Sequence, residues 1–340
     1  MQKKITIALD MMSGDHGISS ALPAAIECIE KMDDVFLILI GNQTEIQDNM
    51  PAKIQKLKDK RYSILHTNEY IRMEDDILSA IRSKKKSSMR LCIAAVKDNN
   101  ADACVSAGNT GALMALSKII LKTISGIDRP AICTALPTKK GHMHMLDLGA
   151  NIGSTSAHLY QFAIMGSALV QSLEESVSPR IGLLNIGSEE FKGNETIKSA
   201  GNMMQSSALN YGGYVEGDDI FEGNYDVIVT DGFAGNIALK SIEGVANIIS
   251  HFIKDEFKKN LYNKFSALVS YPVMKGVRKK VDPRRYNGAS LLGLQGVVVK
   301  SHGGADSYAF GRAIRTAYYE VKNEVLGKIE SLIAKKLSNE

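Results

Sequence analysis

Short apolar runs of strand character alternate with helical periodicity along most of this chain, and that alternation sets the fold class before any motif is considered. The runs are ITIALD (5–10), VFLILIG (35–41), DACVSAG (102–108), MHMLDLGA (143–150), RIGLLNIG (180–187), YDVIVTDG (225–232) and GVVVKSHG (296–303). Apolar residues recur at helical spacing over roughly 19–31, 88–98, 109–122, 155–173, 195–208, 235–265 and 306–337. Most strand runs are apolar nearly throughout, as strands covered on both faces are. The pattern predicts an α/β fold, a mostly parallel sheet with helices on both faces. At 340 residues the chain exceeds the usual size of one core, yet it shows no internal repeat, low-complexity tract or flexible linker. One α/β domain is expected over 1–340.

One segment breaks the alternation. Between 245 and 285 no strand run occurs, and Ile249, Phe252, Ile253, Phe257, Leu261 and Phe265 keep helical spacing. Pro272 then interrupts the pattern and should bend it. A projecting αα-hairpin, inserted in the domain over 245–285, is expected.

In open parallel sheets, ligands collect beyond the carboxyl ends of the strands. Here those ends are polar and rich in glycine. ALDMMSGDHG (8–17) offers Asp10, Asp15 and His16; SAGNTG (106–111) offers Ser106, Gly108, Asn109, Thr110 and Gly111. DLGANIG (147–153) offers Asp147 and Asn151, and NIGSEEFKGNE (185–195) offers Asn185, Glu190 and Lys192. TDGFAGN (230–236) offers Asp231 and Asn236, and VKSHGGAD (299–306) offers Lys300 and His302. Each loop alone also reads as an ordinary turn, with glycine freeing the backbone and Asp or Asn capping the next helix. Five or six such loops are expected on one edge of the sheet. Lys192, Lys300, Arg129, His16 and His302 would crowd that edge with groups suited to holding phosphate and stabilising an oxyanion. SAGNTGALMA in particular joins a buried strand to an apolar helix through small residues, and so offers backbone N–H groups to an anion.

Other chemistries are excluded. No GxGxxG follows a strand, and no GxxxxGK[ST], HExxH or GxSxG is present. His142 and His144 in GHMHM alternate along a strand with no third ligand in view, so no metal is expected. The net charge of +4 is too slight to imply nucleic acid, and the chain has no Trp to stack on bases. Four scattered cysteines suit a reducing compartment, with Cys104 a small buried hydrophobe rather than a nucleophile. MQKKITIALD enters a strand without an apolar targeting stretch, and no run approaches the ~18 residues that span a bilayer. A cytoplasmic location is expected.

Together these blocks resemble the phosphate acyltransferase (PlsX) family of bacterial phospholipid synthesis, the acyl-acyl-carrier-protein:phosphate acyltransferases. ALDMMSGDHG, SAGNTGALM, GIDRPAI, LDLGAN, PRIGLLNIGSEEFKGNE, VTDGFAGNIALK, GASLLGL and VVKSHGGAD carry the resemblance, in order from residue 8 to residue 306. Ser13 departs from the pattern, standing where the family has a second glycine. The resemblance implies a fold like that of phosphotransacetylases and isopropylmalate dehydrogenases, a homodimer and no cofactor. It also implies a reaction in which inorganic phosphate attacks the thioester of a long-chain acyl carrier protein. The acyl phosphate would pass to a membrane glycerol-3-phosphate acyltransferase.

On that footing, phosphate is placed at 106–111 with Arg129 and Lys300. Lys192 stabilises charge, Asn236 donates to the carbonyl oxygen, and His16 or His302 protonates the leaving thiolate. Asp10, Asp15, Asp147, Asn151, Asn185, Glu190 and Asp231 are expected to orient and cap rather than to act as bases. Left on the surface, Lys192 would pair with Glu190 or Glu195. In the hairpin, Leu268, Val269 and Tyr271 lie beside Lys275, Arg278, Lys279, Lys280, Arg284 and Arg285, with only Asp282 opposing that charge. An apolar tip with a basic flank suits an acidic carrier protein, anionic lipid or a dimer partner. Competing readings are a short-chain phosphotransacetylase using acyl-CoA, a decarboxylating dehydrogenase and a non-catalytic scaffold.

Overall fold

The computed structural model describes residues 4–174 and 177–337. Among these, β1 (Ile5–Asp10), β2 (Val35–Gly41), β3 (Tyr62–His66), β4 (Ala103–Ser106), β5 (Ala131–Thr138) and β6 (Gly141–Leu146) form the first six strands. They are followed by β7 (Ile181–Leu184), β8 (Tyr211–Val215), β9 (Val227–Val229), β10 (Ala289–Leu292) and β11 (Val297–Lys300). All join one sheet in the order β3-β2-β1-β4-β11-β10-β5-β6-β9-β7-β8. The helices are α1 (Ile18–Lys31), α2 (Gln43–Asp48), α3 (Ala52–Gln55), α4 (Ile77–Ser83), α5 (Ser88–Lys97) and α6 (Thr110–Leu121). After them come α7 (Ser156–Leu173), α8 (Glu195–Gln205), α9 (Gly232–Lys258), α10 (Leu261–Val281), α11 (Ser307–Lys322) and α12 (Val325–Leu337). The fold is α/β and the sheet mostly parallel, as the alternation predicts.

Four strands escaped the sequence pattern. β8 (YGGYV) contains two glycines, β5 ends in a proline and a threonine, and β3 and β10 are short. Two of these matter greatly. β5 and β10 sit at the centre of the sheet and are antiparallel to their neighbours, so the contacts β11–β10, β10–β5 and β5–β6 each reverse direction. After three reversals β6, β9, β7 and β8 run against β1, β2, β3, β4 and β11. The carboxyl ends of the two halves therefore lie at opposite edges of the sheet, not on the single edge expected.

Side-chain alternation along the strands feeds two faces. On one face α1 and α11 cover Ile7, Leu9, Leu37 and Val105, while α7 and α12 cover Leu146, Ile181 and Val227. On the other, one layer spans both halves, with α5, α6 and the start of α9 against Ala8, Cys104, Val298 and Met145. Phe162 and Phe310 are the largest fully buried side chains, and truncating either to alanine would cost ~3–5 kcal/mol.

The hairpin exists with different joints. α9 begins at Gly232, and the turn falls at Lys259–Asn260, where extended Asn260 caps α10 by accepting from the Asn263 N–H at 2.8 Å. Pro272 lies inside α10 and does not end it. Pro272 and Leu268, whose carbonyl proline leaves unpaired, are both exposed, so water can satisfy it. The tail predicted as one helix over 306–337 breaks at Asn323–Glu324, where Glu324 has φ of 53°. Among the described residues, no helix is long and apolar enough to cross a membrane.

Candidate active site

The first loop cluster is built on β1, β4 and β11. Asp10 and Ser106, both at 0% exposure, end adjacent strands, and the Ser106 hydroxyl donates to Asp10 Oδ2 at 2.7 Å. The same hydroxyl oxygen accepts from the Gly108 N–H at 3.1 Å. That N–H, expected to face an anion, is thus spent on the loop itself. Asn109 caps α6, accepting from the Ala112 N–H at 3.1 Å, and its side-chain amide donates to the Met73 carbonyl at 3.1 Å. The N–H groups of Thr110 and Gly111, in the first turn of α6, have no carbonyl four residues back and remain for a ligand.

Beside this turn, Lys300 pairs in register with Ser106. Its ammonium donates to the carbonyls of Ala107, at 3.2 Å, and Ser301. Burial lowers its pKa to about 8, against the opposing pull of Asp15 and Asp10. The loops interlock tightly. The Asp15 N–H donates to the Gly303 carbonyl at 2.9 Å, and a Cβ on Gly14 (φ +87°) would stand 2.9 Å from that oxygen. A Cβ on Gly108 would lie 2.4 Å from Met89 Cε and 2.9 Å from Ser13 Cβ. Ser13 does not occupy the left-handed region, so its side chain is tolerated where a glycine was expected, and its hydroxyl is buried without a partner. His302 Nδ1 accepts from the Gly304 N–H at 3.1 Å, which leaves its proton on Nε2. His16 is exposed at the loop's rim.

The second cluster lies on β6, β9 and β7. Asp147, at 0% exposure, accepts from four N–H groups: Ile132 at 2.9 Å, Ala150 at 3.0 Å, and the Asn151 backbone and side chain at 2.7 and 2.9 Å. Burial raises its pKa against those bonds. Such a carboxylate organises a loop; it has no lone pair to spare for a base. The first turn of α9 rests on this loop, and a Cβ on Gly235 would lie 2.0 Å from the Asp147 carbonyl. Asp231 caps α9, accepting from the Phe233 N–H at 2.9 Å and, across the gap, from the Ser154 N–H at 2.7 Å. Asn236 lies against Gly149, whose Cβ would come 3.3 Å from its own.

Asn185 shapes the Lys192 loop by donating to the carbonyls of Gly187 and Lys192, both at 3.1 Å. Lys192 is half-exposed and pairs with Glu189 at 2.8 Å, which raises its pKa; neither Glu190 nor Glu195 is its partner. Glu195 instead meets Lys198 at 3.4 Å, and Glu190 is exposed. Arg129 precedes Pro130, whose carbonyl accepts from the Asn151 side chain at 2.8 Å, so the backbone at Arg129 adjoins the Asp147 loop. Cys104 is fully buried, with its thiol pKa raised by desolvation.

The hairpin's basic flank is smaller than its composition. Arg284 is held by Asp282 at 2.7 Å and Asp306 at 2.8 Å, and Arg285 donates to the Lys279 carbonyl at 2.7 Å. Lys275, Arg278, Lys279 and Lys280 stay exposed beside Leu268, Val269 and Tyr271, which are 73%, 66% and 61% exposed. Asn287 escaped the sequence reading. It accepts from the His302 N–H at 2.9 Å and donates to Ser301 Oγ at 2.9 Å, fixing the loop that carries His302. Its Asn-Gly pair is a turn signal that could have drawn notice.

The fold is that of the phosphotransacetylases: a solved phosphotransacetylase from Streptococcus pyogenes matches with TM-score 0.62 at 16% identity, over 95% of each chain. Sequence places the chain more narrowly. The model of the family described as "Fatty acid synthesis protein" matches residues 5–328. A phosphate acyltransferase from Hydrogenovibrio crunogenus is 53% identical over 322 residues, covering 94% of this chain and 95% of its own. A second, from Alkalilimnicola ehrlichii, is 49% identical over 342 residues, covering 99% and 100%. The chain belongs to this family of phosphate acyltransferases.

Proposed function

We propose that the chain transfers a long-chain acyl group from an acyl-carrier-protein thioester to inorganic phosphate, giving acyl phosphate and free carrier protein. The observation that carries this reading is Lys300, a buried ammonium beside the open first turn of α6. A cation and converging N–H donors are what a small tetrahedral anion needs.

Opposite edges do not prevent the two clusters from serving one site. A twisted sheet is saddle-shaped, so diagonally opposed corners rise over the same face. α6 and α9, whose first turns carry SAGNTG and TDGFAGN, share one face of this sheet. In this reading the clusters line a cleft across β10 and β5, within one α/β domain that carries the hairpin as an insertion.

Phosphate is a competent nucleophile at neutral pH, so the protein mainly holds it and relieves charge repulsion. A phosphate oxygen attacks the thioester carbon, the C–O bond forms, and the C–S bond breaks with its electron pair leaving on sulfur. Thr110, Gly111 and Lys300 hold the nucleophile. Lys192 and Asn236 stabilise the oxyanion, and Arg129 extends the cationic field. The thiolate takes the proton that the attacking dihydrogen phosphate gives up, with the Nε2–H of His302 hydrogen-bonded to the sulfur and His16 lining the same mouth. The exposed hairpin offers its apolar tip and basic flank to the acidic carrier protein, a second copy or the anionic inner face of the membrane. There a glycerol-3-phosphate acyltransferase consumes the product. The protein then works in the cytoplasm, peripheral to that membrane.

The test is release of carrier-protein thiol from palmitoyl-acyl-carrier protein, with hydroxylamine trapping of acyl phosphate and palmitoyl-CoA run in parallel. Release that requires phosphate and yields a trappable product is expected, with the carrier protein preferred over CoA. Release without phosphate, or equal use of CoA, would overturn the reading.

A further inference from the structure

Far from the transfer chemistry, at the start of β6, three side chains converge that the proposed reaction does not use. His142 and His144 are two residues apart on the strand and present their rings to one side. The rings meet edge to face, with centroids 5.6 Å apart. Glu174, just past the end of α7, brings Oε1 to 3.0 Å from His142 Nε2 and 3.2 Å from His144 Nδ1. The three atoms all lie within 4.8 Å of one another. Five residues of strand separate His142 from Asp147, about 16 Å at ~3.3 Å per residue, so the cluster lies apart from the second loop cluster.

Glu174 stands thirty-two residues downstream of His142, and only the α7–β6 packing brings it back to the histidines. An ion pair between His142 and Glu174 accounts for two of the three groups. It leaves His144 unexplained. That residue is 7% exposed, and its Nδ1 has no hydrogen-bond partner although Glu174 is near, because the contact is misaligned. A buried ring nitrogen left unsatisfied is costly.

A cation would satisfy all three. At bond lengths of ~2.0–2.1 Å, neighbouring ligands stand about 2.9 Å apart in octahedral and about 3.4 Å apart in tetrahedral geometry. The separations of 3.0 and 3.2 Å fall between these limits. Two imidazoles and one carboxylate suit zinc, nickel, cobalt or copper, whereas magnesium and calcium favour all-oxygen sets.

We propose that His142, His144 and Glu174 form a site for a divalent cation of the zinc class, which fastens the end of α7 to β6, with water completing the coordination. α7 is buried over most of its length, so a clasp at its end stabilises the second half of the molecule without touching the transfer site.

Full-length protein, stripped with a chelator that is then removed, is titrated with zinc against a chromophoric competitor. One zinc per chain at micromolar affinity or better is expected, with a rise in Tm. His142→Ala and Glu174→Gln alter partly exposed side chains, so neither should unfold the protein. Each is expected to weaken zinc binding at least tenfold and abolish the Tm rise, with turnover unchanged. Cobalt bound to the wild-type chain should show weak visible bands and no thiolate charge-transfer band. No saturable binding, equal affinity in both variants, or a thiolate band would overturn the proposal.

Discussion

The two loop clusters meet the same need, polar groups at strand ends, in opposite ways. Around Asp10, Ser106 and Lys300 the polar groups are buried and bonded to one another, so the cradle is set before a ligand arrives. Around Asp147 and Asp231 the carboxylates are equally committed, yet Lys192, on the loop after β7, stands half-exposed and is held by one surface ion pair. Buried cations hold position at a cost in solvation, and exposed ones keep their charge and their freedom. In the proposed reaction the first suits an anion that must be fixed. The second suits an oxyanion that exists only while the thioester is breaking.

Substitutions can break this contrast, and the largest effect is expected in the exposed cluster. Lys192→Ala should lower turnover about 10²–10³-fold, the scale of losing one oxyanion donor, and leave Tm nearly unchanged. Steady-state kinetics and a thermal melt on the same sample check both halves of that statement. An active Lys192→Ala protein would end its role.

Lys300→Met should act mainly through phosphate, raising its KM at least tenfold with a smaller loss of kcat. The folded pKa of about 8 lies below the ordinary lysine value of 10.5. The ammonium is therefore lost as pH rises through about 8, and wild-type kcat/KM for phosphate should fall there. The corresponding limb should be absent from the Lys300→Met profile. Stability moves the other way: between pH 8 and 10.5 the unfolded chain binds the proton and the folded chain does not, so this residue's contribution grows with pH.

Ser106→Ala removes the donor to Asp10 Oδ2, leaving that carboxylate only the Met12 N–H at 3.2 Å on Oδ1, and takes the acceptor from the Gly108 N–H, all in a buried site. A loss of ~1–3 kcal/mol is expected in denaturant unfolding. The corresponding change on an exposed loop, Glu189→Gln beside Lys192, should move stability very little. Smallest of all, Leu268→Glu should spare the core and abolish weak, salt-sensitive sedimentation with anionic vesicles. Equal sedimentation of wild type and variant would remove the membrane from the hairpin's partners.

Much of this could be read locally. The Asn109, Asn194, Asp231 and Asp306 caps fall where Asn or Asp precedes an apolar helical run. The glycines of TDGFAGN marked a close backbone approach that Gly235 makes against Asp147. Pro272 does not end α10 because helix interruption by proline is costly in a core, whereas here the proline is exposed and no residue of α10 is fully buried. That Lys192 pairs with Glu189 rather than Glu190 or Glu195 is not legible in the sequence, because a loop, unlike a helix, has no fixed spacing that selects a partner.

By itself, then, the sequence determined the local elements, the loops that carry chemistry and, through eight ordered blocks, the family. Tertiary structure alone decided how those loops are distributed. β10 has only four residues and β5 ends in Pro137 and Thr138, so both carry weak local signals and owe their stability to their neighbours. Yet their antiparallel pairing turns half of the molecule around and sends one set of strand ends to the far edge. The same holds for Lys300 and for Glu174 beside the paired histidines. Burial and proximity are properties of contacts between distant segments, and no periodicity along the chain records them.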